Sequence, residues 1–236
     1  IEQGVLDIHA GEVIGLVIET QCNYFESLAF PQDVQAGRHR GCMRIRGVPE
    51  GPSIVILREA AAKFRGKTVR RALGNSSQDL TRMEGRRVLA LRSWGKHFLI
   101  QFSGFSLRVH MLMFGSYLID EEKPANPRMS LTFDNGVLNF YASSLKYIEG
   151  ALDDTYDWRI DVMSPEWKPQ LARTKLELQP SVLVCDALLD QDIFAGVGNI
   201  IKNEVLYRIK VHPESLTGKL PAAKLNKLIE EARIYS

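Results

Sequence analysis

The sequence predicts an α+β protein in which one helix and an antiparallel β-sandwich precede a helical region. Three observations predict this architecture. Apolar residues recur at helical spacing between Ser53 and Phe64. Short segments with the alternation of strands, separated by glycines, then occupy the middle of the chain. From Ser164 onward the spacing is helical again. A run of strands followed by a run of helices is typical of the α+β class.

Turn residues separate the segments that alternate like strands. Gly95, Gly104, Gly115 and the pair Asn135-Gly136 lie between them, and Asn-Gly is a strong hairpin signal. Short antiparallel strands of this kind build a sandwich or a flattened barrel. The predicted strands are Arg87–Arg92, His97–Phe102, Ser106–Leu112, Ser116–Ile119, Met129–Phe133 and Val137–Tyr141.

The helical region and the segment before the first helix complete the predicted organisation. We expect a β-rich domain over residues 49–163, a helical domain over residues 164–236, and a ligand site in the cleft between them. Residues 1–48 have no clear pattern and are predicted to be an extension that is disordered or foreign to the natural protein. The predicted helices of the second domain are Lys168–Leu176, Pro180–Leu188, Asn199–Tyr207 and Pro221–Ile234.

Composition favours an ordinary globular protein and does not by itself indicate a function. The chain has 236 residues, 45% of them hydrophobic, which is enough for a globular core. The net charge of +2 does not by itself indicate a nucleic-acid binder. Three widely spaced cysteines argue against a disulfide framework. Because the chain has neither a long apolar run nor the pattern of a signal peptide, we expect a cytoplasmic protein without a membrane partner.

Two short motifs stand at the boundaries of predicted elements. The segment Pro49-Glu50-Gly51-Pro52 lies directly before the first helix, where its simplest interpretation is a tight turn with a proline near the helix start. The segment Gly95-Lys96-His97-Phe98 begins a strand and is interpreted most simply as a hairpin turn with an exposed lysine. Taken alone, each motif favours a structural role over a chemical one.

Two further motifs leave a structural and a functional interpretation open. The run His110-Met111-Leu112-Met113-Phe114-Gly115 contains bulky apolar residues in succession, which cannot all face one side of a sheet because strand side chains alternate. It is either buried strand core or a projecting apolar wedge of the kind that holds a DNA duplex open. In Ala195–Ile200, Asn199 either caps the following helix or offers its amide to a phosphate.

In their order and spacing these four motifs resemble the formamidopyrimidine-DNA glycosylase and endonuclease VIII family. Leu188-Leu189-Asp190-Gln191 before Ala195–Ile200, and the His-Pro pair in Ile209–Pro213, add to the resemblance. These proteins often carry a His-Pro just after the second helix of their helix-two-turns-helix motif. The resemblance extends from Pro49 to Ser236. The consecutive residues of Leu112–Phe114 are closer to the endonuclease VIII branch, whose wedge comes from one loop.

The resemblance implies a bifunctional DNA glycosylase and apurinic/apyrimidinic lyase of base excision repair. Residues 49–163 would form its catalytic β-sandwich domain and residues 164–236 its helix-two-turns-helix DNA-binding domain. The implied partner is double-stranded DNA with oxidised or abasic sites, bound by a monomer. In this family a proline amine attacks C1′ of the damaged nucleotide and displaces the base. The iminium intermediate then loses the strand by β- and δ-elimination.

The motifs carry the family's roles onto particular positions of this chain. Pro49 matches the nucleophile, Glu50 the adjacent carboxylate that moves protons, and Lys96 the hairpin lysine that meets phosphate and assists catalysis. Ser53 stands where many relatives have a glutamate, so no role is carried over to it. The implied DNA-binding residues are His110 and Asn199 as phosphate contacts and Leu112, Met113 and Phe114 as the wedge.

Pro49 departs from the family because Val48 precedes it. An amide nitrogen has no available lone pair, so the nucleophile must be a free amine. We expect Val48 to be a GTG start codon read as valine, with Ile1–Gly47 outside the natural protein and Pro49 exposed by removal of methionine. The alternatives are maturation by proteolysis and a catalytically inactive form.

The end of the chain also departs from the family. Relatives usually end in a zinc finger with four cysteines or a zincless equivalent, whereas this chain stops at Ser236 and has no C-x-x-C pair. We therefore expect no metal site and no cofactor here, with zinc confined to full-length relatives. Two competing hypotheses are a non-catalytic DNA-binding relative and an unrelated β-rich structural protein. The sequence does not indicate which lesion is preferred.

Overall fold

The first helix begins directly after the Pro-Glu-Gly-Pro turn. The computed structural model of the protein describes residues 49–236, so the expectations for residues 1–48 lie outside the described residues. Helix α1 spans Gly51–Ala60 and continues as a 3-10 turn over Ala61–Phe64. The Ser53 hydroxyl accepts a hydrogen bond from the Glu50 N–H at 3.0 Å and donates one to the Glu50 carbonyl at 2.7 Å. Ser53 thereby caps the helix start, which lies two residues before the predicted one.

Six antiparallel strands form one sheet in the order β1-β5-β6-β4-β3-β2. All five pairs of neighbouring strands are antiparallel, as the hairpin signals predict. The strands are β1 Arg71–Leu73, β2 Ala90–Trp94, β3 His97–Gln101, β4 Phe105–Ile119, β5 Met129–Phe133 and β6 Gly136–Glu149.

Two long strands, β4 and β6, turn this sheet into a sandwich. Only the first part of β4 pairs with β3, and only the first part of β6 pairs with β5. The two halves of the sheet share one hydrophobic core, in which the ring centroids of Phe98 and Phe140 are 5.8 Å apart. The predicted α+β class with an antiparallel sandwich is confirmed, and one folded sheet supplies both layers.

Several predicted strand bounds are wrong. Strand β2 covers residues 90–94 instead of 87–92, because Arg87 forms only an isolated bridge with Thr68. The segments 106–112 and 116–119 are parts of one strand, β4, and β6 continues to Glu149. Strand β1 was not predicted, because its three residues are too few to show an alternation.

The glycine taken as a turn between two strands is instead part of a bulge. The register of β4 against β6 shifts between Met111 and Ser116, so that residues 112–115 lie opposite Ala142 alone. A Cβ at Gly115 would come within 2.7 Å of the Met111 Cβ and 2.9 Å of the Ala142 carbonyl oxygen. The strand can therefore bulge here because residue 115 has no side chain.

Four helices follow the sheet and enclose a second hydrophobic core. Residues 180–183 were predicted to be helical but are not, since Leu183 instead bridges to Leu216. No helix within residues 49–236 is long and apolar enough to cross a membrane. The helices are α2 Pro169–Glu177, α3 Val184–Leu189, α4 Asn199–Ile209 and α5 Ala222–Ile234.

A third, smaller hydrophobic cluster connects the sheet to the helical region. It combines Trp94 and Leu99 of the sheet with Tyr156 and Ile160 of the intervening segment and with Ala195 before α4. Residues 49–236 belong to one compact unit. Because of this cluster, the turn between β2 and β3 lies beside the loop before α4. The predicted division of the chain at residues 163 and 164 stays a prediction.

Candidate functional site

The Glu50 carboxylate lies at the N-terminus of helix α4. Its Oε1 accepts a hydrogen bond from the N–H of Ile200 at 2.8 Å, and its Oε2 accepts one from the N–H of Ile201 at 3.1 Å. Glu50 is only 6% exposed, and the preceding Pro49 is buried as well. The first turn of a helix has unpaired amides and a positive dipole end, so it favours a carboxylate at this place. One motif residue is thus held by a helix about 150 positions later in the chain.

Gly198 is the residue that leaves room for this carboxylate. It is the N-cap of α4 and has an ordinary extended backbone. A Cβ at position 198 would come within 2.3 Å of Oε1 and 2.5 Å of Cδ of Glu50. Real Cβ atoms do not approach other atoms so closely, so a side chain here would displace Glu50. The glycine of Gly-Asn-Ile is therefore needed for space and not for backbone freedom.

Three further glycines bring three chain segments into backbone contact. The N–H of Gly51 donates to the carbonyl of Gly196 at 2.8 Å, which ties the start of α1 to the loop before α4. A Cβ at Gly95 would lie 3.0 Å from the nitrogen of Gly196, and a Cβ at Gly51 would lie 3.2 Å from its Cα. Gly95 and Gly196 also have φ values of 51° and 104°, which favour glycine. We call Gly51, Gly95, Gly196 and Gly198 the glycine junction.

Lys96 follows Gly95 in the hairpin turn between β2 and β3, as predicted. The expectation of an exposed lysine is wrong, because the side chain is half-buried. Burial lowers the pKa of Lys96, and the negative charge of Glu50 opposes that shift. Burial likewise raises the pKa of Glu50, against the α4 amides and the charge of Lys96. The two groups lie close enough to influence each other, in surroundings that favour the neutral form of both.

His110 lies directly behind the Lys96 turn. Its Nδ1 is 3.2 Å from the Lys96 carbonyl oxygen, so the ring supports this turn from β4. The ring of His97 packs edge-on against it, with centroids 5.3 Å apart. Burial, with Arg108 and His110 nearby, lowers the pKa of His97 to about 3, so His97 is neutral near pH 7. A direct contact of His110 with phosphate stays a prediction.

Asn199 is the first residue of α4 and is exposed. The N-cap is Gly198, so the interpretation of Asn199 as the helix cap is wrong. Its side-chain oxygen instead accepts a hydrogen bond from Nζ of Lys202 at 3.1 Å. The Asn199 amide therefore faces solvent beside a lysine, at the helix end that also holds Glu50. The positive end of the helix dipole and the nearby lysine together favour the binding of an anion such as a phosphate here.

The apolar segment Leu112–Phe114 projects from the surface. Leu112, Met113 and Phe114 are 49%, 66% and 81% exposed, so the interpretation as buried strand core is wrong for these three residues, whereas Met111 of the same run is buried. They form the bulged part of β4, next to Gly115. A large apolar residue such as Phe114 is expensive to leave in water, and adjacent exposed apolar side chains mark an interaction site. The exposure agrees with a wedge, whose role stays a prediction.

Two polar residues of the site were not identified from the sequence. Gln191 was quoted within a motif without a role. Its Oε1 accepts from the N–H of Gly196 at 3.1 Å, and its Nε2 donates to the carbonyl of Val197 at 3.0 Å. Asp161, 2% exposed, accepts the N–H of Gly95 at 3.1 Å. The half-buried Gln191 precedes the glycine-rich segment by only a few residues, and that spacing is the signal that could have indicated it, whereas Asp161 had no sequence signal.

Fold and site together define a two-part protein in which a β-sandwich is joined to a helical region at a shared site. Residues 48–144 match the sequence profile of the formamidopyrimidine-DNA glycosylase N-terminal domain. Residues 161–234 match that of the formamidopyrimidine-DNA glycosylase H2TH domain. The chain belongs to the formamidopyrimidine-DNA glycosylase and endonuclease VIII family.

Curated relatives carry names from both branches of this family. Endonuclease 8-like 3 of Bos taurus is 30% identical over 80% of this chain and 31% of its own length. The formamidopyrimidine-DNA glycosylase of Carboxydothermus hydrogenoformans is 29% identical over 79% of this chain and 75% of its own. The DNA-(apurinic or apyrimidinic site) lyase Nei2 of Mycolicibacterium smegmatis is 28% identical over 79% and 74%. The assignment to the endonuclease VIII branch stays a prediction.

Solved structures share the fold. A viral DNA glycosylase has a TM-score of 0.69 at 20% identity and covers 79% of this chain and 80% of its own. The Lactococcus lactis Fpg, in complex with DNA that contains an abasic site, has a TM-score of 0.69 at 21% identity, covering 78% and 76%. The chain spans less than a third of the length of the bovine relative. Within residues 49–236, no cluster of His, Cys, Asp or Glu is arranged to hold a metal ion.

Proposed function

We propose that this protein is a bifunctional DNA glycosylase and apurinic/apyrimidinic lyase that removes oxidised bases from double-stranded DNA. The observation that carries the proposal is the place of Glu50. This carboxylate, adjacent to the proposed nucleophile Pro49, is buried at the N-terminus of α4 and is electrostatically coupled to Lys96. A structural turn would not require a buried carboxylate beside a half-buried lysine, since each costs desolvation free energy. We expect the protein to act as a monomer in the cytoplasm.

The chemistry begins with the secondary amine of Pro49. Its lone pair forms a bond to C1′ while the glycosidic bond breaks, and the departing base takes a proton. Opening of the sugar ring then gives an iminium. Loss of a C2′ proton expels the 3′ phosphate, and a second elimination expels the 5′ phosphate. The first elimination takes its electron pair from the C2′–H bond and the second from the C4′–H bond. The iminium accepts each pair as an enamine and returns it when the phosphate leaves, so no external oxidant or reductant is needed.

Glu50 is suited to move the protons of this sequence. Burial raises its pKa, so the carboxyl group can hold a proton closer to neutral pH than an exposed glutamate can. The amides of Ile200 and Ile201 stabilise the ionised form that remains after the proton has been given away. A carboxyl group whose pKa is raised in this way can donate a proton to the sugar and leaving base and, once ionised, accept one from C2′.

Lys96 and Asn199 would hold the DNA backbone on either side of Glu50. Lys96 lies in the β2–β3 turn and Asn199 at the start of α4, so two segments present donors to one strand. Burial lowers the pKa of Lys96, and a phosphate beside it would favour its charged form. His110, which contacts the Lys96 carbonyl, would act from behind this turn. Leu112–Phe114 would enter the space left by the everted nucleotide.

The test compares two proteins on duplex DNA with a single abasic site or one oxidised pyrimidine. One starts at Pro49, and the other is the 236-residue chain with Pro49 joined to Val48. The first should cleave the strand and give a covalent adduct after borohydride reduction of the iminium. The second should be at least about 100-fold slower, because its Pro49 nitrogen is an amide.

Each alternative gives a different result. Efficient cleavage by verified, unprocessed chain would exclude Pro49 as the nucleophile. Cleavage without any adduct by the protein that starts at Pro49 would also exclude it. Tight binding of abasic DNA with neither cleavage nor adduct would favour the second candidate, a non-catalytic DNA-binding relative.

A further inference from the structure

Asp161 is a buried carboxylate that the proposed chemistry does not use. The residue is 2% exposed, and both of its carboxylate oxygens accept backbone hydrogen bonds. Oδ2 accepts the N–H of Gly95 at 3.1 Å, and Oδ1 accepts the N–H of Met163 at 2.9 Å. Gly95 directly precedes Lys96, so one oxygen holds the turn that carries the proposed catalytic lysine.

The backbone around Asp161 is fixed to the loop before α4. Asp161 forms an isolated parallel bridge with Ala195. The N–H of Val162 donates to the Ala195 carbonyl at 3.1 Å, and the N–H of Ala195 donates to the Ile160 carbonyl at 3.0 Å. The side chain of Asp161 therefore holds the Lys96 turn, while its main chain is tied to the loop before α4, the helix whose amides hold the Glu50 carboxylate.

Burying a carboxylate at position 161 costs desolvation free energy. Burial raises the pKa of Asp161, opposed by the two amides and by the charges of Arg233 and Arg58. A charged acceptor makes a stronger and better oriented hydrogen bond to an amide than a neutral one does. Gly95 has a φ of 51° and packs against Gly196, so a small movement of this turn would alter the glycine junction. A strong acceptor here restrains the turn more than apolar packing would.

We propose that Asp161 is a positioning residue for the reaction, fixing the Gly95–Lys96 turn relative to Glu50. The proposal rests on the proposed function, in which Lys96 assists catalysis. Asp161 contacts neither substrate nor reacting atoms and acts through the Gly95 amide. If the turn is released, Lys96 samples several positions, and a displacement of about 1 Å in a catalytic group can cost on the order of 100-fold in rate.

Asp161→Asn is the sharpest substitution, because it preserves shape. An amide has one acceptor oxygen and one donor NH₂ group, whereas the amides of Gly95 and Met163 both require acceptors. One of the two bonds must break. Glu166→Gln is the matched control, since it removes the same charge from an exposed side chain five residues further along the same segment.

Three measurements test the proposal. In a protein that starts at Pro49, single-turnover borohydride trapping on abasic duplex DNA gives a rate and an amplitude, and a titration gives the DNA affinity. In the full chain, hydrogen exchange reports the protection of the Gly95 amide. Asp161→Asn should lower the single-turnover rate by about 10- to 100-fold and speed Gly95 exchange, with amplitude and affinity within about twofold of the unsubstituted protein. Glu166→Gln should change none of these.

The outcomes separate positioning from a merely structural role. If Asp161→Asn lowers the amplitude but leaves the single-turnover rate unchanged, the residue only supports the fold and the proposal is wrong. An unchanged rate with faster Gly95 exchange would also overturn it. If the unsubstituted protein gives no trapped adduct, the proposed function fails. The exchange of Gly95 would then still decide whether Asp161 holds the turn.

Discussion

The glycine junction around Glu50 and the apolar segment Leu112–Phe114 belong to one proposed site but are built in opposite ways. At the junction, Glu50 is 6% exposed and its oxygens are paired with amides of α4. In the apolar segment, Phe114 is 81% exposed on a bulge of a single strand. The glycine junction thus holds a buried, hydrogen-bonded carboxylate in a fixed position, whereas Leu112–Phe114 presents apolar side chains to solvent, where a partner can bind them.

This difference indicates where each part of the function obtains its free energy. At the junction, the free energy that desolvates Glu50 and Lys96 is supplied by folding. These side chains therefore need little reorganisation during the reaction. The apolar segment gains its free energy only when DNA is bound and water leaves its surface. Substitutions at the junction should therefore affect rate, and substitutions in the segment should affect the opening of the duplex.

The largest effect is expected for Glu50→Gln in a protein that starts at Pro49. Base excision should fall by about 10²- to 10⁴-fold, because the amide cannot carry the proton, while DNA affinity should stay nearly unchanged. Lys96→Ala should weaken both rate and affinity, since it removes a proposed phosphate contact too. A gel-shift titration beside single-turnover excision separates these effects. Equal and small losses from both substitutions would count against the assigned roles.

Gly198→Ala should have the next largest effect. The added methyl group would overlap the Glu50 carboxylate, so Glu50 must move away from the α4 amides and excision should fall by about 100-fold. Gly104→Ala is the control: its φ of 85° strains the backbone, but nothing lies within 4 Å of the new methyl. It should lower stability by about 1 kcal/mol without a change in rate. Excision at the normal rate by Gly198→Ala would contradict the described fit.

A smaller effect concerns the free energy of unfolding at acid pH. The pKa of His97, about 3 when folded, lies below its ordinary value of 6.5, so the unfolded chain takes up the proton first. The contribution of the neutral His97 ring to the free energy of unfolding is fully present above pH 6.5 and is lost as the pH falls towards 3. Between pH 6.5 and 5 the loss should be about 2 kcal/mol.

His97→Phe should remove most of that pH dependence. Phe keeps an aromatic ring beside Trp94 and Tyr156 but cannot be protonated. Urea unfolding at several pH values gives the slope, and substitution of the exposed His212 by Gln serves as control. The idea fails if the slope between pH 6.5 and 5 is the same with and without His97.

The smallest effect is expected for the triple change of Leu112, Met113 and Phe114 to alanine. Activity on duplex DNA should fall by about tenfold, but activity on single-stranded DNA should hardly change, because no stack must be held open there. The melting temperature should stay within a few degrees, since exposed side chains contribute little to the core. A large drop in melting temperature with equal losses on both substrates would contradict the wedge.

The structural features that could be predicted from the sequence are those determined by residues close together in the chain. Alternation and turn residues predicted most strands, and the run Leu112–Phe114 indicated a wedge because it violates strand alternation. The bulge at Gly115 was taken for a turn, since a glycine between two alternating segments has the same pattern in both cases. Element bounds failed where pairing with a distant strand, as in the later part of β6, decides the length.

The contacts of the junction could not be predicted, because they join residues that are far apart in the chain. The pairing of Glu50 with the amides of Ile200 and Ile201 spans 150 positions. The motif at Gly198-Asn199 suggested that a helix starts there, but the space needed by a carboxylate is a property of the folded chain. Asp161 had no signal because its partners are backbone amides, which carry no residue identity.

The most direct test of the central claim is to locate the covalent bond. A protein that starts at Pro49 would be reacted with abasic duplex DNA, reduced with borohydride and digested, and the peptide carrying the sugar remnant would be sequenced by mass spectrometry. The remnant should be on the nitrogen of Pro49, and extending the chain through Val48 should abolish it. A remnant on Lys96 or another lysine, with cleavage intact, would show that Pro49 is not the nucleophile.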